Sequence, residues 1–231
     1  QLNDPRTRYY FYRQTTCVPG GIDAVTGELC APDQSRLTCS TQAPPAHYPQ
    51  GMIYCFPDDG YWGRDHGNAE GIPPDNLRRA VTGVYPAGGK FDYDDFSAIG
   101  EGLGGQGAGI TPIMLSSWVE FMRAEMALAS GNAGAAGGYL NTGITKHINK
   151  VMPYGSLDPD ADSGFFATQA EINAFIDGVG NAFNSADNNG KWDILAVQQF
   201  VANFGNGVVP YNMYRRTGYP VSLQYPVESN S

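Results

Sequence analysis

The feature that most constrains the fold of this chain is a change of sequence pattern near residue 111. Before that point, turn-forming glycines and prolines interrupt short aromatic segments, and the whole chain has 30 glycines and 16 prolines. After it, apolar residues recur at three- and four-residue spacing, which is the period of an amphipathic α-helix. The sequence therefore predicts a mainly α protein, with an irregular loop- and hairpin-rich region over residues 1–110 and a helical region over 111–231.

The helical region predicts a series of helices with recognisable ends. We expect the first helix to begin at Thr111 with Pro112 in its first turn, and to bury Met114 and Trp118. Thr168 and Glu171 have the spacing of a capping box and predict the start of the third. The apolar period places the remaining helices at about 133–152, 192–204 and 211–214.

Two successive helix pairs in this region indicate helical repeats. In the first pair, small and large residues have nearly the spacing of a tetratricopeptide repeat: Ala124, Gly131, Ala136, Leu140 and Gly143. Small residues in such repeats let paired helices approach closely. We therefore expect degenerate tetratricopeptide-type helix pairs.

All four cysteines lie in the first quarter of the chain, at Cys17, Cys30, Cys39 and Cys55. Their spacing to one another and to the histidines does not match a zinc site, and a loop-rich setting favours disulfides and an oxidising compartment. Pairing Cys17 with Cys30 and Cys39 with Cys55 is the simplest arrangement. The two crossed pairings, and four reduced cysteines, stay open as alternatives.

The stretch Asn212–Pro220 places two adjacent arginines, Arg215 and Arg216, between tyrosines and ahead of Gly218. Glycine accepts the left-handed conformation that ends many helices. The planar guanidinium group suits carboxylates, and the aromatic setting predicts that the arginines lie inside the fold. We expect at least one Glu–Arg pair, formed with Glu120 or Glu125, to join this last helix to the first repeat.

This stretch and several others resemble the SusD/RagB-like family of outer-membrane nutrient-binding lipoproteins. The segments that carry the resemblance follow one another along nearly the whole chain: Asp4–Arg6, Tyr9–Gln14, Gly60–Gly67, Gly71–Asp75, Tyr85–Asp92, Val119–Glu125, Phe204–Gly207 and Asn212–Pro220. The resemblance implies a SusD-like fold, in which helical repeats lie beside an irregular, ligand-facing part. Both regions would then belong to one SusD-like domain.

The resemblance also implies a function and a location. Family members are longer and begin with a lipoprotein signal, so we expect this chain to be a C-terminal half whose lipid-anchored N-terminal part is absent here. Such a protein would capture oligosaccharide or peptide at the cell surface and deliver it to a SusC-like TonB-dependent β-barrel transporter in the outer membrane. It would be a binding protein that needs no cofactor.

Aromatic residues on the predicted loops are the candidate ligand contacts. Tyr48, Tyr61 and Trp62 offer flat apolar faces with a polar handle, which suit sugar rings or extended peptides. Asp58 and Asp59 lie close in sequence and could bind hydroxyl groups or peptide termini. Most other loop aromatics are expected to form core.

Two further interpretations concern acidic residues elsewhere in the chain. Glu120 and Glu125 on one helix could act as a general acid and base, but we expect them to be structural ion-pair partners. The series Asp158, Asp160 and Asp162 resembles a calcium loop whose glycine is one place late, and we expect turns there and no metal site.

The net charge of −9 argues against a nucleic-acid partner, because such partners attract basic surfaces. Two other function classes stay open. One is a secreted glycan or peptide hydrolase domain, whose two carboxylates need no fixed spacing. The other is a structural subunit of an envelope complex with a degenerate ligand site.

Overall fold

The structure is a computed structural model that describes residues 3–14, 61, 80–100 and 102–223. Within those residues the elements, in chain order, are α1 (Thr7–Tyr10), β1 (Phe11–Tyr12), β2 (Val81–Thr82), α2 (Ser116–Ala129), α3 (Ala133–Val151), α4 (Gln169–Ser185), α5 (Asn188–Ala202) and α6 (Val208–Thr217). Two short 3-10 segments, Met152–Leu157 and Ser163–Phe165, connect α3 to α4. The prediction of a mainly α protein is confirmed.

Several helix ends follow the capping chemistry of the sequence. Thr168 and Glu171 form the predicted capping box at the start of α4, with both reciprocal hydrogen bonds present. Asp187 caps α5 through a hydrogen bond from the backbone N–H of Gly190, so this helix begins four residues before the predicted Trp192. Gly218 ends α6 in the left-handed conformation, with φ of 76°.

The predicted start of the first long helix is wrong. α2 begins at Ser116 instead of Thr111, and Met114 is 60% exposed where burial was expected. The chain before Ser116 is tied to other loops: Ile110 donates its backbone N–H to Pro86, and the Pro112 carbonyl accepts from the Asn206 side chain. These contacts give backbone groups of this segment hydrogen-bond partners, although the segment is not helical.

Helices α2 to α5 enclose the main hydrophobic core. Its buried members are Trp118, Phe121, Ala124, Leu128, Ala136, Leu140, Ile144, Ile148, Ile172, Phe175, Val179, Phe183, Leu195 and Ala202. At Gly143 the helices α2 and α3 approach so closely that a Cβ atom would lie 3.2 Å from the Phe121 ring. Small residues therefore let this helix pair close as the repeat pattern predicts.

A second core joins the N-terminal segment to the helices. It contains Tyr9, Tyr10, Val84, Tyr85, Phe91 and Val151. β1 and β2 are antiparallel, with Phe11 opposite Thr82 and Tyr12 opposite Val81. The pairing therefore brings the two ends of the 68-residue stretch between these strands, residues 13–80, to one place on the helical scaffold.

No helix in the described ranges is long and apolar enough to cross a lipid bilayer.

Candidate functional site

Opposite charges gather where the segments around β1 and β2 meet. We call this group the ion-pair cluster; its members are Arg8, Arg13, Lys90, Asp92, Asp94 and Asp95. The Arg13 guanidinium binds the fully buried Asp92 carboxylate through Nε at 2.7 Å and Nη2 at 3.1 Å. A planar fork of this kind matches the two carboxylate oxygens. Arg13 also contacts Asp94, so the two carboxylates share one cation.

Arg8 forms the outer part of the ion-pair cluster. Its Nη1 and Nη2 atoms lie 2.7 and 3.3 Å from the two carboxylate oxygens of Asp94. The side chains of Arg8 and Asp94 are each about one-third exposed, at 33% and 34%. This pair is therefore the part of the cluster that water or a ligand can reach.

Asp95 forms the inner end of the ion-pair cluster. It accepts hydrogen bonds from the Tyr12 hydroxyl at 2.6 Å and from the Ser97 hydroxyl at 2.8 Å. The almost buried Lys90 ammonium lies 2.8 Å from the same carboxylate and over the Tyr12 ring. Lysine is rarely buried without a partner, and here the Asp95 carboxylate and the Tyr12 ring are its partners.

The cations of the cluster keep two of its carboxylates, Asp94 and Asp95, ionised. Burial opposes ionisation of Asp94, yet the hydrogen bond from Arg8 and the charge of Arg13 lower its pKa below the usual value. Burial likewise opposes ionisation of Asp95, and hydrogen bonds from Lys90 and Tyr12 lower its pKa. Neither carboxylate is thereby suited to carry a proton at neutral pH, so the cluster fits a positioning role better than acid–base chemistry.

Tyr61 is one of the predicted ligand-binding residues, and it also contacts the ion-pair cluster. The Arg13 guanidinium lies over the Tyr61 ring, 4.6 Å from its centroid. The hydroxyl is buried, and burial together with the Asp92 charge raises the pKa of Tyr61. Tyr61 as a whole residue is partly exposed, although its hydroxyl is buried and its ring lies against Arg13.

The loop that carries the aspartates has an unusual backbone. Asp94 and Phe96 have φ of 66° and 51°, in the left-handed region. Aspartate tolerates this conformation, but it is uncommon for a bulky residue such as phenylalanine. The Phe96 ring lies 5.2 Å from the Arg13 guanidinium, and the ion pairs of the neighbouring aspartates hold the loop on both sides. The cluster thus fixes a strained loop at the base of the 13–80 stretch.

The N-terminal segment is also locked into the helices by Arg6. This arginine is fully buried, binds Asp4 through Nε at 2.8 Å and Nη2 at 2.6 Å, and donates from Nη2 to Gln198 at 2.9 Å. Its guanidinium lies 5.4 Å from the Phe175 ring. Arg6 therefore ties the segment to both α4 and α5.

His147 of α3 lies at the centre of a buried hydrogen-bond chain. Its Nε2 is 2.6 Å from the Tyr10 hydroxyl, which donates to the Val201 carbonyl at 3.1 Å, and its Nδ1 is 3.4 Å from the Ser117 hydroxyl. This order fits a neutral ring with its proton on Nε2. Burial, with a smaller contribution from the Arg6 charge, lowers the pKa of His147 to about 3.

The carboxylates of α2 form structural ion pairs. Glu120 binds Lys146 of α3 at 2.6 Å and Arg123 of its own helix at 2.9 Å. The hydrogen bond from Lys146 is the main reason that the pKa of Glu120 is lowered. Glu125 accepts two hydrogen bonds from Arg216, at 2.9 and 2.8 Å. The expected Glu–Arg pair between the last helix and the first repeat is present.

The predicted burial of the two C-terminal arginines is wrong. Arg215 and Arg216 are both exposed, and the Arg216 side chain is 56% accessible. α6 ends at the surface, and the rings that flank the arginines do not cover them: Tyr211 is itself 62% exposed and lies beneath Arg215 at 5.7 Å. The aromatic neighbours in the sequence predicted burial, but this end of α6 is exposed to solvent.

The remaining predicted site residues lie outside the described residues. They are the ligand-binding candidates Tyr48, Asp58, Asp59 and Trp62, and the four cysteines at 17, 30, 39 and 55. Their roles stay predictions.

Asp158 and Asp162 have the turn role expected of them. The buried Asp158 carboxylate accepts backbone N–H groups of Phe91 at 2.9 Å and Asp160 at 3.1 Å, and Asp162 accepts that of Gly164 at 2.8 Å. Among the residues that the structure describes, no three histidine, cysteine, aspartate or glutamate side chains form a potential metal site.

Sequence reasoning missed the ion-pair cluster. Arg13 and Asp92 are 79 positions apart, and no local period relates them. The available signal was opposite charge in two segments: Arg8 and Arg13 in one and Asp92, Asp94 and Asp95 in the other, in a chain where only 16% of residues are charged. Both segments carried the family resemblance without a stated role.

Comparison with known proteins gives one match. The family model described as SusD-like, Susd and RagB outer membrane lipoprotein, matches residues 107–231. The matched range includes helices α2 to α6. Searches of curated proteins and of solved structures found no match.

Proposed function

Because this chain belongs to the SusD-like family of outer-membrane lipoproteins, we propose that it is a nutrient-binding subunit at the outer-membrane surface. It captures an oligosaccharide or peptide and passes it to a SusC-like TonB-dependent β-barrel transporter. The complete protein is held at the membrane by a lipid on its N-terminal part. It binds its ligand without a covalent step and without a cofactor.

The observation that carries this proposal is the family match over residues 107–231. SusD-like proteins bind nutrients, and the matched residues form the packed helical scaffold of this chain. A fold alone does not fix a function, so the proposal rests on the family and not on the presence of helical repeats.

The geometry around the ion-pair cluster supports a binding role for the stretch between β1 and β2. Ligand-binding residues are often found on loops that a rigid scaffold positions. All five candidate contacts, Tyr48, Asp58, Asp59, Tyr61 and Trp62, lie within residues 13–80. The β1–β2 pairing and the cluster hold both ends of this stretch, and Tyr61 contacts Arg13 directly.

Isolation of the native protein from outer membranes in mild detergent tests the proposal. We expect a large TonB-dependent barrel to co-purify, and mass spectrometry to show a lipidated polypeptide that contains this sequence. Recovery of the protein alone, unlipidated and in the soluble fraction, would contradict both the transport role and the location. Turnover of glycans or peptides by the purified protein would instead indicate a hydrolase, and stable assembly without bound nutrient would indicate a structural subunit.

Replacement of Trp62 tests the candidate ligand contacts. We expect Trp62→Ala to weaken binding of the captured nutrient by about tenfold, because a lost aromatic contact costs roughly 1.4 kcal/mol. Isothermal titration calorimetry measures the change. Tyr211→Ala is the matched control, since Tyr211 is an exposed aromatic residue on α6, outside the 13–80 stretch. Equal affinity of Trp62→Ala and wild type would show that the site is assigned wrongly.

A further inference from the structure

The Arg8–Asp94 pair combines the two most exposed side chains of the ion-pair cluster. Each is about one-third exposed, whereas Asp92 is completely buried against Arg13. A dissolved carboxylate can therefore reach the Arg8–Asp94 pair but cannot take the place of Asp92. Asp94 is the anion of the cluster that a ligand could replace.

The Arg8 guanidinium is held in place by contacts that do not involve Asp94. Its Nη1 atom donates to the backbone carbonyl of Asp92 at 3.0 Å, and the group lies 5.1 Å from the centroid of the Phe165 ring. A guanidinium that is already oriented loses less conformational freedom when it binds a carboxylate. Arg8 would therefore keep its position if the Asp94 carboxylate moved away.

The Arg13 guanidinium is held by a larger set of contacts. It binds Asp92 through Nε at 2.7 Å and Nη2 at 3.1 Å, and the rings of Tyr61 and Phe96 lie 4.6 and 5.2 Å from it. Its Nη2 atom also contacts the Asp94 carboxylate. Two cations with independent supports thus share one anion, Asp94.

The backbone around Asp94 makes this anion replaceable. Asp94 and Phe96 have φ of 66° and 51°, and this left-handed conformation is particularly uncommon for a bulky residue such as phenylalanine. Release of the Asp94 carboxylate from the two arginines would let the loop return to ordinary backbone conformations. The strain that is relieved offsets part of the free energy of the lost ion pairs.

We propose that this outer end of the cluster is an exchange site, at which a carboxylate of the captured nutrient displaces Asp94 and binds Arg8 and Arg13. Forked guanidinium donors match a carboxylate, and the exchange of one anion for another keeps the charge balance. Tyr61, a predicted ligand contact, lies against Arg13, so a carboxylate bound there is next to that ring. The inference rests on the proposed function and narrows the nutrient to peptides with a free C-terminus or glycans with uronic acid units.

Titration of the ¹⁵N-labelled chain tests the exchange site by NMR, because the Nε–H signals of Arg8 and Arg13 report on it directly. The probes are acetyl-triglycine and trigalacturonic acid. Their matched controls are the C-terminal amide of the peptide and the methyl ester of the sugar, which lack the charge. We expect at least one acid to shift both arginine signals saturably, with a dissociation constant on the order of 1 mM, and its neutral partner to leave them unchanged. The acid that binds identifies the source of the carboxylate.

Two variants should change the affinity for that acid in opposite directions. Arg8→Gln removes a forked donor and should weaken binding about tenfold. Asp94→Asn removes the competing anion and should strengthen binding about two- to fivefold, since a half-exposed ion pair no longer has to be broken. Asparagine also tolerates the left-handed conformation, so the loop should keep its backbone. A purely structural role of the pair predicts no gain in affinity from Asp94→Asn.

Arg215→Gln and Asp177→Asn are the matched controls for these variants. Arg215 lies on α6 and Asp177 on α4, and both are exposed residues outside the cluster. They undergo the same changes of charge and should leave the dissociation constant nearly unchanged, and circular dichroism should show that all variants keep their helices. The proposal would be overturned by a lack of saturable shifts with both acids, by equal shifts with the neutral partners, or by unchanged or weaker binding to Asp94→Asn.

The failure of this inference can be told apart from the failure of the proposed function. Co-purification with a transporter and lipidation do not depend on a carboxylate in the nutrient, so a negative titration leaves the transport proposal intact. Recovery of the protein alone and unlipidated, together with a positive titration, would instead leave a carboxylate-binding protein without a role in transport.

Discussion

The helical region and the ion-pair cluster are stabilised by different kinds of contact. Helices α2 to α5 share a core of apolar side chains, of which Trp118, Phe121 and Leu140 are completely buried. The ion-pair cluster instead buries Asp92 against Arg13, two charges that need each other to stay out of water. The first region should be sensitive to the volume of a side chain and the second to its charge.

The largest effect is expected from loss of volume in the helical core. Phe121→Ala removes a ring that fills the contact between α2 and Gly143 of α3, and should lower the free energy of unfolding by about 3–5 kcal/mol. Urea denaturation followed by circular dichroism measures this change. Val119→Ala is the control on the same helix, because Val119 is 44% exposed, and its effect should stay within about 0.5 kcal/mol.

A change of charge at constant size separates the two regions. Asp92→Asn should lower the free energy of unfolding by about 2–4 kcal/mol, because it leaves Arg13 without its buried carboxylate. Leu140→Met in the helical core, which also conserves volume, should cost less than about 1.5 kcal/mol.

The exposed loop residue Asp160 provides the control for the Asp92 prediction. Asp160→Asn makes the same chemical change outside a buried ion pair, and should leave the denaturation midpoint nearly unchanged. Equal effects of Asp92→Asn and Leu140→Met would contradict the distinction between the two regions.

The two regions should also respond to acid in different pH ranges. His147 has an ordinary pKa of 6.5, which burial lowers to about 3 in the folded protein. Between these values the unfolded chain binds a proton that the folded protein does not. Stability from the neutral ring is therefore complete above pH 6.5 and falls by up to about 1.4 kcal/mol for each pH unit below it.

The carboxylates of the ion-pair cluster lose their contribution to stability at lower pH than His147 does. The pKa values of Asp94 and Asp95 are lowered from 3.8, so their contribution is complete above that value and is lost as pH falls through the folded values. His147→Gln can keep contacts with Tyr10 and Ser117 but cannot titrate. Denaturation series from pH 7 to 4 should show a shallower slope for this variant than for wild type, and an unchanged slope would mean that His147 does not carry the effect.

Sequence reasoning succeeded where the controlling contacts are local. The capping box at Thr168 and Glu171 and the glycine that ends α6 depend on residues three or four positions apart, and both were predicted. The ion-pair cluster and the Tyr10–His147 contact join segments 79 and 137 positions apart. No periodicity encodes such distances, so these contacts appear only when the chain is folded.

Local patterns also misled where long-range contacts override them. Thr111 and Pro112 have good helix-starting chemistry, but the hydrogen bond from Ile110 to Pro86 holds the chain in another conformation. For the candidate site, the sequence proposed Tyr61, and the structure adds its contact with Arg13.

The smallest expected effect concerns the two C-terminal arginines, which the sequence treats alike and the structure does not. Arg216 binds Glu125 of α2 through two hydrogen bonds, whereas Arg215 lies over the exposed ring of Tyr211. Arg216→Ala should lower the free energy of unfolding by up to about 1 kcal/mol, because an exposed pair is weakened by water and salt. Arg215→Ala should lower the free energy of unfolding by about half as much or less. In 1 M salt the difference in this free energy between the two variants should become smaller. Equal costs at low salt would show that the Glu125–Arg216 pair does not contribute to holding α6 on the first repeat.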